Sequence, residues 1–216
     1  MNVSNGCQLY LITPPQINDL KAFGQKLSRA LAAAPVACLQ IRLKDMNGGP
    51  MDSSAIIHAA RYIKPICQNH GTLVIMNDNP QLAKEVGADG VHLGQSDMDY
   101  FSSRELLGGD AIIGITCHNS KQLAFEAASA GADYVAFGAF FETETKTAKY
   151  RADEEILTWW QEAVEVPCVA IGGITVDNAQ TIVSAGADFL AVSSGVWAHP
   201  DGAASAISQF SQLCQL

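Results

Sequence analysis

The 216-residue sequence predicts an α/β fold, a closed (β/α)₈ TIM barrel in one domain over residues 1–216, and three observations predict it. Short apolar or β-branched runs alternate with amphipathic stretches along the whole chain. There are eight of each, always strand pattern before helix pattern. The tripeptide Gly-Ala-Asp recurs at 87–89, 131–133 and 186–188, each time where a helix pattern stops and a strand pattern begins.

In order, strand patterns cover 8–13, 36–43, 72–77, 90–93, 111–115, 134–138, 168–171 and 189–193. Helix patterns cover 18–33, 53–69, 80–86, 100–107, 120–130, 153–164, 176–184 and 203–213. Consecutive βα units joined by crossovers of one hand roll a parallel sheet up until it closes. Glycine at each Gly-Ala-Asp joint takes the left-handed backbone that stops a helix, so these joints belong to the stability face. Chemistry in such barrels sits at the C-terminal strand ends, and that rule sorts the polar residues.

Apolar residues make up 48% of the chain and charged residues 16%, enough apolar material for a buried interior. Thirteen Lys and Arg against 22 Asp and Glu leave a net charge of −9, which argues against nucleic acid as a partner. An anionic ligand must therefore be held by a local cluster of donors, and small molecules are the expected partners. A homo-oligomer is compatible with this composition. No secretory signal pattern opens the chain, and no apolar run approaches the roughly 20 residues of a membrane span, so a cytoplasmic address without membrane contact is expected. Cys7, Cys38, Cys67, Cys117, Cys168 and Cys214 are scattered without a C-x-x-C pair and are expected as reduced thiols.

The second strand pattern ends Gln40-Ile41-Arg42-Leu43-Lys44, and alternation sends Gln40, Arg42 and Lys44 to one side, into the barrel mouth. Two cations withdrawn from water together imply an anion, phosphate being the common one; a solvated strand end with a surface ion pair is the other reading. The third ends Asn77-Asp78-Asn79-Pro80 and the fourth His92-Leu93-Gly94-Gln95-Ser96-Asp97. Asp78 and Asp97 thus offer hard carboxylate oxygens on adjacent strand ends, suited to Mg²⁺ bridged to a diphosphate. Asp78 taken alone also reads as a helix N-cap with Asn79 at the first helical position. His92, inside its strand, reads as a packed histidine rather than a base. Thr116 places a small hydroxyl at the fifth strand end. Thr143, Thr145 and Lys146 follow the sixth, as an anion-binding lid or as a polar solvated loop. Gly172-Gly173 and Ser193-Ser194 bare backbone N–H groups at the seventh and eighth ends, where barrels frequently bind phosphate. Asp177 and Asn178 read as helix caps.

Taken in order, these motifs resemble the thiamine phosphate synthase family, from Tyr10-Leu11-Ile12-Thr13 to the last helix. The family's Gln-x-Arg-x-Lys looks like Gln40–Lys44, its Asn-Asp like Asn77-Asp78, and its His-x-Gly-Gln-x-Asp like His92–Asp97. Its Thr-x-Thr-Lys lid is similar to Thr143–Lys146, and its Gly-Gly and serine loops to Gly172-Gly173 and Ser193-Ser194. The resemblance implies a transferase that joins a hydroxymethylpyrimidine diphosphate to a thiazole phosphate, or its carboxylated precursor, and releases pyrophosphate. It implies that Gln40, Arg42, Lys44, Asn77 and Lys146 bind the pyrimidine diphosphate with help from Thr116, the three cations being catalytic. It implies Asp78 and Asp97 as Mg²⁺ ligands, and Gly173, Ser193 and Ser194 as the thiazole phosphate site, with Thr143 and Thr145 nearby. The sequence departs from the family pattern around the lid: Ala139 and Glu142 stand where proline is usual and Ala148 where an acidic residue is usual. Thr116 replaces a usual serine and Leu43 a usual glutamate. Two rival readings remain: a thiazole tautomerase-like isomerase, which needs a proton-transfer residue but no metal, and a non-catalytic phosphate-binding paralogue.

Overall fold

Eight parallel strands pair in sequence order and the last returns to the first, so the sheet has no edge. They are β1 (Gln8–Ile12), β2 (Cys38–Ile41), β3 (Leu73–Asn77), β4 (Gly90–Leu93), β5 (Ile112–His118), β6 (Tyr134–Gly138), β7 (Cys168–Ile171) and β8 (Phe189–Val192). The helices are α1 (Leu20–Leu31), α2 (Ser53–Gln68), α3 (Pro80–Val86), α4 (Tyr100–Leu107), α5 (Lys121–Ala130), α6 (Glu155–Ala163), α7 (Ala179–Ser184), α8 (Ser194–Trp197) and α9 (Ala203–Cys214). This computed structural model describes residues 6–142 and 150–214. Asp19, Asp52, Asn79, Asp99 and Ser120 begin their helices by accepting a backbone N–H that the helix itself cannot satisfy.

Strand alternation divides the core in two. Tyr10, Ile12, Ile75, Tyr134, Val169 and Phe189 face one another inside the barrel, while Leu9, Leu11, Leu39, Val74 and Phe137 pack outward against the helices. The six cysteines are free thiols, five of them buried. Among the described residues no helix is long and apolar enough to cross a membrane.

The repeated Gly-Ala-Asp joint does more than stop a helix. Gly87, Gly131 and Gly186 take positive φ at the helix ends, as the sequence implies. Each aspartate then clamps the start of the strand before its own. The carboxylates of Asp89, Asp133 and Asp188 accept from the N–H of Val74, Ile113 and Cys168 at 2.7, 2.8 and 2.8 Å. Their own N–H groups donate to the carbonyls of the same three residues. One side chain thereby pins two strands in register at the face opposite the loops that follow the strands.

Many element ends differ from the sequence pattern by one to three residues, and a short helix, α8, opens directly after β8. β2 ends at Ile41 rather than 43, because Pro14 and Pro15 deprive the adjoining segment of donors; Arg42 N–H turns instead to Thr13 Oγ1 at 3.0 Å and Lys44 N–H to the Pro15 carbonyl at 2.8 Å. Arg42 and Lys44 therefore stand beyond the strand. β5 runs on to His118, with a register shift between Thr116 and His118 against β6. α7 starts at Ala179, not 176, since residues 175–178 form a turn.

Asp133 also holds Arg104 Nη2 at 2.7 Å, in a half-exposed pair. Asp133→Ala leaves the Ile113 N–H without its side-chain acceptor and is expected to cost about 1–3 kcal/mol of unfolding free energy, read by urea denaturation.

Candidate active site

Lys44, Asp78 and Asp97 meet where the loops after β2, β3 and β4 converge. Lys44 Nζ lies 3.4 Å from Asp78 Oδ2. Asp78 has φ 63°, a left-handed conformation that a short polar residue tolerates, and its N–H donates to the His92 carbonyl at 2.8 Å. The cap of α3 is Asn79, whose side chain accepts from Leu82 N–H at 3.0 Å, with Pro80 opening the helix. Asp78 is thus released from the capping role. Asp97 is seated by a turn in which its Oδ2 accepts from Gly94 N–H at 2.7 Å.

The electrostatics of this rim are unbalanced in both directions. Burial raises the Asp97 carboxyl above its ordinary value; the Gly94 N–H opposes the rise, and the Asp78 carboxylate, by charge and by hydrogen bonding, adds to it. Burial lowers the Arg42 guanidinium, and Asp78 acts against that lowering. A cation between the carboxylates and an anion beside Arg42 and Lys44 would relieve these opposite strains. Among the described residues no group of three or more His, Cys, Asp or Glu side chains could hold a metal by themselves. Two carboxylates are nonetheless the usual protein share for Mg²⁺, which keeps waters and substrate oxygens as its other ligands.

Gln40 lies deeper than Arg42 and Lys44, only 3% exposed, with Nε2 donating to Tyr10 Oη at 3.0 Å. His92 is buried between two hydroxyls, Tyr134 Oη at 2.9 Å from Nδ1 and Thr116 Oγ1 at 2.7 Å from Nε2, as befits the packed histidine expected. Asn77 ends β3 opposite His92 in the ladder. The Gln95 side chain, given no role by the motif it belongs to, donates to the Thr116 carbonyl at 2.6 Å and braces the β4 loop against β5.

At the other side of the mouth, Gly172 (φ 106°) and Gly173 (φ 64°) pass beneath the segment after β6. A Cβ on Gly172 would lie 2.4 Å from Ala139 Cβ, and one on Gly173 would lie 2.2 Å from the Glu142 carbonyl oxygen. Asn178 does not cap α7 by its side chain, correcting the cap reading: its Oδ1 accepts from Thr175 N–H at 2.8 Å and its Nδ2 donates to the Gly173 carbonyl at 3.0 Å, bracing the glycine loop. Ser193 Oγ donates to the Thr13 carbonyl at 3.1 Å, so its hydroxyl ties β8 to the β1 loop, and Ser194 opens α8. Glu142 is exposed; Thr143, Thr145, Lys146 and Ala148 lie outside the described residues.

Tyr10 and Tyr134, given no role by the motifs at the strand ends, underlie the site through their hydrogen bonds to each other, to Gln40 and to His92. Both are inward-facing strand positions, and a phenol hydroxyl at such a position is the signal that would have found them, because a buried hydroxyl needs a partner.

Fold and rim together define the class: a (β/α)₈ barrel whose polar and charged side chains collect at the C-terminal strand ends. The family described as thiamine monophosphate synthase matches residues 9–196, and the chain belongs to that family. A thiamine-phosphate synthase of Rhodospirillum centenum is 55% identical over 207 residues, 96% of this chain and 97% of the relative. One of Hyphomonas neptunium is 52% identical, over 95% and 93% of the two chains. Among solved structures, a thiamine phosphate pyrophosphorylase from Pyrococcus furiosus superposes with a TM-score of 0.81 at 28% identity, over 95% of this chain and 94% of that one.

Two outcomes follow. Burial holds His92 at about 4, below its ordinary 6.5, so the unfolded chain takes up this proton first. The stability that depends on neutral His92 is full above pH 6.5 and declines as pH falls towards 4, which denaturant unfolding across that window checks. Gly173→Ala forces a side chain into left-handed backbone and against the Glu142 carbonyl, and is expected to lower stability by more than about 1 kcal/mol, read by thermal unfolding.

Proposed function

We propose that this protein, as one barrel domain, joins a hydroxymethylpyrimidine diphosphate to a thiazole phosphate and releases pyrophosphate, forming thiamine phosphate. The observation that carries the reading is the meeting of Lys44, Asp78 and Asp97 at three adjacent strand ends, with Arg42 close enough for the Asp78 charge to favour its ionised form. Family membership supports it over essentially the whole chain.

In this reading Arg42 and Lys44, with Lys146 from the lid segment, bind the diphosphate and offset the negative charge that grows on it as the C–O bond to the pyrimidine methylene breaks. Asn77 and the Thr116 hydroxyl donate to the same group, and Gln40 meets the pyrimidine. Asp78 and Asp97 would hold Mg²⁺, which when bound supplies further neutralisation of the departing diphosphate. The electron-rich aminopyrimidine carries the positive charge left on its methylene until the thiazole nitrogen attacks. No side-chain nucleophile is needed, and the work of the site is positioning and charge stabilisation. The backbone N–H groups of Gly173, Ser193 and Ser194 would take the thiazole phosphate, with Thr143 and Thr145 beside it.

The test combines both substrates with Mg²⁺ and follows thiamine phosphate and pyrophosphate, with a chelator control. Product that disappears with chelator is expected. Asp78→Asn and Asp97→Asn should each lower kcat on the order of 100-fold or more, since several kcal/mol of charge stabilisation are lost. In thermal unfolding without substrate, Mg²⁺ should stabilise the wild type and neither variant. Wild-type turnover in the variants, or product unaffected by chelator, would remove the metal assignment.

A further inference from the structure

Five side chains from five strands form an unbroken chain across the barrel interior. Gln40 Nε2 on β2 donates to Tyr10 Oη on β1 at 3.0 Å, and Tyr10 Oη lies 3.0 Å from Tyr134 Oη on β6. Tyr134 Oη lies 2.9 Å from His92 Nδ1 on β4, and His92 Nε2 lies 2.7 Å from Thr116 Oγ1 on β5. Its ends, Gln40 and Thr116, are residues assigned above to the pyrimidine diphosphate. Its three middle members, Tyr10, His92 and Tyr134, are 1%, 8% and 0% exposed.

Burial gives the chain a direction, because each hydroxyl proton must find an acceptor within it. The carboxamide nitrogen of Gln40 has no lone pair to offer, so Tyr10 accepts there and turns its own proton to Tyr134. Tyr134 then donates to His92 Nδ1, which is the bare ring nitrogen. The imidazole proton sits on Nε2 and is donated to Thr116 Oγ1, leaving the Thr116 proton for a partner beyond the chain. The opposite direction would press the Tyr10 proton against an amide N–H.

Two further features support this order. His92 lies between two neutral hydroxyls and stacks on the Tyr134 ring, centroids 5.6 Å apart and planes at 15°, a setting that favours the neutral imidazole with its single proton. The ring of Tyr134 occupies space that only a glycine leaves free, since a Cβ on Gly114 would lie 1.9 Å from Tyr134 Cζ. The tyrosine is therefore placed by the strand opposite it in the β5–β6 ladder.

We propose that Tyr10 and Tyr134 are positioning residues: they hold His92 as the Nε2–H tautomer and so make the Thr116 hydroxyl an obligate donor towards the departing diphosphate. That the acceptor is a diphosphate rests on the function proposed above; the direction of the chain does not. A donor already aimed at the site where charge grows needs no reorientation in the transition state, and each bond in such a row polarises the next.

The test begins with protein carrying ¹⁵N-labelled histidine, in which long-range ¹H–¹⁵N correlations read the His92 tautomer directly. The wild type is expected to show Nε2–H, and Tyr134→Phe, which removes the donor to Nδ1, a loss of that preference. Kinetically, Tyr134→Phe should lower kcat roughly tenfold with KM for the thiazole phosphate unchanged. Thr116→Ser should retain activity and Thr116→Val lose at least as much as Tyr134→Phe. Because the tyrosine acts through the threonine, adding Tyr134→Phe to Thr116→Val should cost little more. An Nδ1–H tautomer in the wild type, or fully additive losses in the double variant, overturns the proposal. If the wild type makes no thiamine phosphate, the proposed function falls, while the tautomer still supports or overturns the direction of the chain.

Discussion

The pairing of β8 with β1 is the constraint on which the rest depends. Four residue pairs, from Gln8 opposite Phe189 to Leu11 opposite Val192, close the sheet and bring its first and last strands to one seam. Closure sends all eight strand ends to a common rim, so single residues spaced along the chain become neighbours. At the seam itself Ser193 reaches the Thr13 carbonyl, while Thr13 Oγ1 accepts from Arg42 N–H. The eighth loop, the first loop and the segment after β2 are thereby linked. An open sheet with the same sequence would carry the same residues without bringing them to face a common space.

The rim shows how an acidic protein can present a local cluster of cations. A chain of net charge −9 has no general attraction for phosphates, and the site depends on which charges stand together. Asp78 pairs with Lys44, favours the charged form of Arg42 and disfavours that of Asp97. Burial disfavours the charged forms of both Arg42 and Asp97, and the single Lys44–Asp78 pair does not offset either. In the function proposed above, a metal-bound diphosphate would act on both at once.

Rigidity behind the rim comes from devices well away from it. The aspartate clamps pin strands in pairs at the opposite face, and Asn178 and Gln95 brace the loops from behind. The barrel interior, which apolar side chains alone could fill, is crossed instead by a hydrogen-bonded row. The groups at the mouth thus stand on a floor whose own polar atoms are held by partners on other strands.

The sequence by itself determined the alternation of strand and helix and the polar residues that end each strand. β4, β6 and β7 have the limits that their apolar runs predict, because short-range periodicity and chain-breaking residues set them. β2, by contrast, stops early because Pro14 and Pro15, some 26 residues earlier, offer it no donors. Only the tertiary structure decided that Asp78 and Asp97 face each other, that Asn178 braces a loop, and that Tyr10 and Tyr134 meet across 124 residues of chain. The physical reason is range. Propensity, capping and alternation act within a few residues, whereas the partner of a buried hydroxyl or carboxylate is chosen by ladder register and barrel closure, which no local pattern encodes.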